Sequence, residues 1–202
     1  EGDEVIVPAY TYTASASIVL HVGARIVFVD VQKDCLEMDY EAVEKAISER
    51  TKAIMICSPN NPTGTMLSKA DLEGIATYAI KHDLLVISDE IYAELAYDEN
   101  YTSFAAINDM RERTILINGF SKGFAMTGWR LGFVCAPQEI SEAMLKVFQY
   151  QLMCASTMAQ YAAIEALRNG RPEVDVMVKS YRRRRNFIVE SFNEMGLSCH
   201  WF

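Results

Sequence analysis

The chain has 202 residues, half of them hydrophobic and 23% charged, with a formal net charge of −8. These figures fit a globular protein with enough chain to bury a core, and they exclude a broad electrostatic grip on nucleic acid. No apolar run reaches the roughly 20 residues of a membrane span, so neither nucleic acid nor a membrane is an expected partner.

The sequence opens on acidic Glu1-Gly2-Asp3-Glu4, with no signal-peptide or basic transit pattern. Short apolar runs rich in β-branched residues recur at 5–7, 26–31, 53–57, 84–88, 114–118 and 131–135. Runs of this kind predict strands buried on both faces. Between them, residues 39–50 and 68–83 carry helical spacing. The second begins with the capping box Ser68-x-x-Asp71 and aligns Leu72, Ile75, Ala76, Ala79 and Ile80 on one face. Strand–helix alternation predicts an α/β fold, three layers α/β/α around a mainly parallel sheet. The segment between Asn118 and Trp129 is too short for a right-handed crossover, so the last strand is expected to run antiparallel. From Gln138 the pattern is helical, over 139–150, 156–168 and 172–195, with Pro172 in a first turn and Gly196 as the C-terminal cap. The start without Met and the stop at Trp201-Phe202 read as an internal segment of a longer protein.

Five cysteines (Cys35, Cys57, Cys135, Cys154, Cys199) are scattered, with no C-x-x-C pair, and read as reduced, buried thiols of a cytoplasmic protein. The three histidines are too dispersed for a metal site. The arginine run 182–185 points four ways around a helix and reads as a solvated face or dimer rim. The methionines of the C-terminal helices read as core packing.

Four polar stretches each end a predicted strand, where ligands of open α/β sheets gather. They are Pro8-Ala9-Tyr10-Thr11-Tyr12, the stretch from Ser58 to Gly64, Ser88-Asp89-Glu90-Ile91-Tyr92, and Asn118-Gly119-Phe120-Ser121-Lys122 running on to Arg130. Lys122, in a small and apolar setting, suits a desolvated amine able to form a Schiff base. Arg130 offers a donor fork for phosphate, with the Ser121 hydroxyl beside it. Asp89, closing an apolar run, needs a partner to be buried there, and a protonated pyridine nitrogen is one. Asn61 and Tyr92 suit hydrogen bonds to a phenolic oxygen, and Tyr12 suits stacking on a flat ring. Pyridoxal 5'-phosphate (PLP) is a cofactor that needs all of these together.

In this order and spacing the residues resemble the fold-type-I PLP-dependent aminotransferases of class I/II, the aspartate aminotransferase-like group. The motifs that carry the resemblance are Asn60-Asn61-Pro62-Thr63-Gly64, Asp89-Glu90-Ile91-Tyr92, and Ser121-Lys122 with Gly128-Trp129-Arg130-Leu131-Gly132. The resemblance implies that Lys122 is the catalytic residue, holding PLP as a Schiff base and shuttling a proton to and from the substrate. It implies that Asp89 binds the ring nitrogen, Tyr92 and Asn61 the phenolic oxygen, Arg130 and Ser121 the phosphate, and that Tyr12 stacks on the ring, with a cis bond at Asn61–Pro62. It further implies amino transfer from an α-amino acid to a 2-oxo acid by a homodimer. Residues 1–196 would form the PLP-binding large domain without its N-terminal part, and 197–202 the start of a small domain. Gly119 stands where many relatives have a serine. The family's upstream phosphate-binding turn and its carboxylate-gripping arginine lie outside the sequence, so the segment alone is expected to show little activity. The opening, and the stretch from Gly23 to Asp30, look more like the related sugar aminotransferases. A PLP β-lyase and a non-catalytic ligand-sensing domain of a transcription regulator are the alternatives.

Overall fold

The computed structural model describes residues 1–33, 36–97 and 101–199. Six strands, β1 (Glu4–Pro8), β2 (Arg25–Val29), β3 (Thr51–Cys57), β4 (Leu85–Asp89), β5 (Thr114–Gly119) and β6 (Gly132–Cys135), form one sheet in the order β2-β1-β3-β4-β5-β6. All neighbours are parallel except β5 and β6, which pair antiparallel with Gly119 opposite Gly132. The expected antiparallel last strand is therefore present.

Period-two alternation gives the sheet two apolar faces. Ile6, Ile54, Ile56 and Val86 face one core, closed by Val43 of helix α2 (Tyr40–Ala46) and by Leu72, Ile75, Ala76 and Ala79 of helix α3 (Lys69–Lys81). Val7 and Met55 face the other, with Val19 of helix α1 (Thr13–His21). Helices thus cover both faces, giving the three layers the sequence predicts. Helix α3 starts in the anticipated capping box: the Ser68 hydroxyl accepts from Asp71 N–H at 3.2 Å, and Asp71 Oδ2 accepts from Ser68 N–H at 2.8 Å. The turn α4 (Phe120–Gly123) and helices α5 (Gln138–Gln151), α6 (Thr157–Asn169) and α7 (Arg171–Glu194) follow. Gly196 ends α7 in the left-handed region, with Leu197 N–H donating to Phe192 C=O at 2.9 Å. No helix among the described residues is long and apolar enough to cross a membrane.

Several expectations are corrected. The helix predicted over 39–50 ends at Ala46, because Ile47 is extended and the Thr51 hydroxyl accepts from Ser48 N–H at 2.9 Å, turning the chain into β3. Ile80 is 47% exposed, beyond the edge of the α3 apolar stripe. β2 and β6, at the two ends of the sheet, are not buried on both faces: Phe28, Phe133 and Val134 are open. Met144, Met153, Met158 and Met195 of the C-terminal half are exposed, since no described element packs over them. Cys57 is buried, but Cys135 and Cys154 are exposed and Cys199 is half-buried; Cys35 lies outside the described residues.

Candidate active site

The polar residues collect at the carboxyl ends of β1, β3, β4 and β5. Parallel pairing brings them into line: Cys57, the last residue of β3, is opposite Asp89, the last of β4, and Asp89 is opposite Ile117 of β5. Beyond β3, Ser58–Pro59 and Asn61–Pro62 are both cis, the second as expected and the first not anticipated. The turn closes on itself: Asn60 N–H donates to Thr65 C=O at 2.8 Å, Gly64 N–H donates to Asn60 C=O at 3.0 Å, and Gly64 takes a positive φ that favours glycine. It presents the Asn61 side chain, whose Nδ2 donates to the Tyr92 hydroxyl at 3.1 Å.

Tyr92 stands just before a 3₁₀ turn, Ala93–Leu95, and its ring lies 5.9 Å from Lys122 Nζ. Lys122 rides on the short turn α4, which packs so closely on the 3₁₀ turn that a Cβ on Gly123 would sit 2.8 Å from Glu94 Cβ and Cγ. Asn61, Tyr92 and Lys122 are therefore brought together, all half-buried. Thr127, not singled out by sequence reasoning, ties down the return loop. Its hydroxyl donates to Ser121 C=O at 2.9 Å, and its carbonyl accepts from Arg130 Nη1 at 3.0 Å. Arg130 is exposed, in the left-handed region. Tyr12, just before α1, is 61% exposed at the end of β1. Tyr12, Ser121 and Arg130 share this end of the sheet, but among the described residues no hydrogen bond or ion pair joins their side chains to those of Asn61, Tyr92 or Lys122.

Asp89 is half-buried and accepts from Ile91 N–H at 3.2 Å. Burial pushes its carboxyl above the usual carboxylate range, the Ile91 N–H opposes that, and the neighbouring Glu90 charge adds to it. It makes no ion pair among the described residues. Burial likewise pushes the Cys57 thiol up to about 12, helped by Asp89, so Cys57 is an inert neighbour and no nucleophile.

Glu90, which sequence reasoning passed over, is only 3% exposed. Gly119 also has a steric explanation: a Cβ there would lie 2.9 Å from Gly132 Cα and 3.0 Å from Leu131 C=O.

The residues fit PLP. A carboxyl at a strand end with no cationic partner suits a ring N–H, an amide and a phenol in contact suit a phenolate oxygen, and a lysine amine stands beside the phenol. Among the described residues no cluster fit for a metal ion occurs.

The family model of class I and II aminotransferases matches residues 1–200. The Bacillus subtilis protein YugH is 55% identical over 98% of this chain and 52% of its own length, and the aspartate aminotransferase of Pyrococcus abyssi is 46% identical with the same coverage. The crystal structure of an aromatic aminotransferase from Pyrococcus horikoshii superposes with a TM-score of 0.92 at 44% identity, over 97% of this chain and 54% of that one. The chain spans about half the length of the curated relatives it matches.

Proposed function

This chain belongs to the class I and II aminotransferase family, and on that premise we propose that the protein containing it transfers an amino group from an α-amino acid to a 2-oxo acid with PLP as cofactor. The observation that carries the reading is the convergence of the Asn61–Tyr92 pair, Lys122 and the cation-free Asp89 on one end of the sheet. When bound, PLP supplies a protonated ring that accepts the electron pair left when a substrate Cα–H bond breaks.

Lys122 would hold the cofactor through its amine, and its free amine would be the base that takes the substrate Cα proton and returns it. Asp89 keeps the ring nitrogen protonated, since a carboxylate deprived of water gains most from a cation beside it. Asn61 and Tyr92 donate to the phenolic oxygen, Ser121 and Arg130 bind phosphate, and Tyr12 covers the ring face. Residues 1–196 form the cofactor-binding domain and 197–202 lead into a second one; residues 200–202 of that stretch lie outside the described residues.

We place the protein in the cytoplasm as a homodimer. The exposed free thiols of Cys135 and Cys154 suit a reducing compartment, and the open apolar side chains along α5–α7 suit burial against further protein. The test is product analysis of the full-length protein with PLP. Two of the relatives above are named for aspartate and aromatic amino acids, which makes these the first donors to try. Equimolar appearance of the donor's 2-oxo acid and the acceptor's amino acid supports the reading; stoichiometric ammonia instead establishes a lyase, and no turnover with any pair favours the sensing domain.

A further inference from the structure

Lys122 is the third residue of the four-residue turn α4, and a helical segment that short holds its shape only when packed from outside. At its C-terminal end the packing comes from the 3₁₀ turn Ala93–Leu95. The point of contact is buried Gly123, the residue after Lys122, which the Glu94 stem approaches so closely that an added Cβ would sit 2.8 Å from both Glu94 Cβ and Cγ. Tyr92 leads into the same 3₁₀ turn, its C=O accepting from Leu95 N–H at 2.8 Å. The Glu94 stem is therefore a spacer between the element that carries the phenol and the element that carries the amine. The far end of Glu94 is tied: its Oε2 accepts from Arg171 Nη1, while Arg171 Nε donates to Asp175 Oδ1 at 3.0 Å. Arg171 is the first residue of α7, where a cation opposes the helix dipole, and its two carboxylate partners offset that. Next to this link α4 stands off the corner between α6 and α7 across a cavity of about 190 Å³, lined among others by Gly123, Phe124, Gly170 and Val174. The Glu94–Arg171 pair bridges that gap. An ion pair this open to water adds little to stability, and what it supplies is position.

We propose that Glu94 is a positioning residue of the cofactor site: tied by Arg171, its stem bears on Gly123 and holds the Lys122 amine at its 5.9 Å from the Tyr92 ring. Asn61 Nδ2 fixes Tyr92 from the other side at 3.1 Å. A ring anchored through its phenolic oxygen then meets the amine in register only while α4 is braced. The inference rests on the PLP reading above, and it gives α7, through Arg171, a part in placing Lys122.

The experiment follows the capture of PLP by Lys122 in cofactor-free full-length protein, as the change in visible absorbance after mixing with saturating PLP. The amine nitrogen bonds the aldehyde carbon, and the carbonyl oxygen leaves as water with the two amine hydrogens, so the rate reports how well amine and ring are aligned. The reference ligand is pyridoxamine 5'-phosphate, which carries an amine in place of the aldehyde and forms no bond to the lysine. Glu94→Ala removes Cγ and the carboxylate, and Arg171→Ala removes the tie. Each should slow capture about tenfold or more, against the hundredfold that about 1 Å of misplacement can cost, with affinity for pyridoxamine 5'-phosphate unchanged. The double variant should be no slower than the slower single one, as residues acting as a unit require. Glu94→Gln keeps the stem and an acceptor for Arg171 and should capture PLP at the unaltered rate. Because Arg171 is exposed, Arg171→Ala tests the proposal even where Glu94→Ala fails to fold. An unaltered capture rate in Arg171→Ala, a matching loss of affinity for pyridoxamine 5'-phosphate, or additive effects in the double variant would each overturn it. No lysine-dependent absorbance change in the unaltered protein would defeat the PLP reading itself, and the role of Glu94 with it.

Discussion

Gly119 offers the sharpest test of how the fold holds the turn that carries Lys122. Its φ is 179°, extended backbone that any residue adopts, so Gly119→Ala introduces no conformational strain. The conflict is steric. The new Cβ would meet Gly132 Cα at 2.9 Å, Leu131 C=O at 3.0 Å and Ile91 Cδ1 at 3.3 Å. Ordinary carbon contacts fall at about 3.5–4.0 Å, so β6 must retreat by roughly half an ångström or more. Two of the three obstacles are backbone, which cannot rotate aside. Overpacking of this kind costs about 1–3 kcal/mol, and each kcal/mol lowers the Tm by about 2–4 °C in a chain of this size or larger. The retreat also loosens the Phe120 N–H to Leu131 C=O bond of 3.2 Å that opens α4, one residue before Ser121 and two before Lys122. PLP affinity should therefore fall together with stability, and Gly119→Ser, which brings the same Cβ, should behave no better. Thermal unfolding and PLP titration by absorbance, both on the full-length protein, provide the readouts. An unchanged Tm with unchanged affinity would show that β6 yields freely and that the contact does not position the turn.

Asp89→Asn should stabilise the cofactor-free protein at neutral pH. Because burial raises the Asp89 pKa above its unfolded value, the native state holds the proton more tightly. Stability therefore falls as pH rises from the ordinary carboxylate range through the raised value. The advantage of Asp89→Asn over the unaltered protein should appear across that interval and vanish below it, as read by denaturant unfolding at several pH values. Ser68→Ala removes one arm of the α3 capping box and should cost about 1 kcal/mol, with PLP affinity unchanged because the cap's hydrogen bonds go to Asp71 and Leu72 and to no residue of the site. Tyr92→Phe deletes the hydroxyl that receives Asn61 Nδ2 and should weaken PLP binding by about 1 kcal/mol or somewhat more without lowering the Tm comparably.

Much of the fold was legible because its signals are local. Strands β1, β3, β4 and β5 are nearly unbroken apolar runs, and α3 carries its own start signal in Ser68 and Asp71. Where the reading missed, the deciding physics lay outside the segment. The stretch 47–50 has helical composition, but the Thr51 hydroxyl captures Ser48 N–H, and β2 and β6 read like central strands while occupying sheet edges. Helix α1 was not assigned because Thr13–His21 lacks a strong apolar stripe and has no side-chain cap. In the site, Asn61, Tyr92 and Lys122 were chosen from three separate strand ends, and the structure brings them together. Thr127 acts through its main-chain carbonyl and a bond to another main-chain carbonyl, which residue type does not reveal. Glu90 is hidden for a different reason: its hydrogen-bond donors, Phe104 N–H among them, come from residues up to 14 positions away, so no spacing rule points to it.

The central claim is that Lys122 carries the cofactor. The most direct measurement is borohydride reduction of the PLP-loaded full-length protein, followed by peptide mapping by mass spectrometry. The account predicts one pyridoxyl group, on the peptide containing Lys122, and none in the folded Lys122→Ala protein. A pyridoxyl group on another lysine, or undiminished labelling of Lys122→Ala, would contradict it.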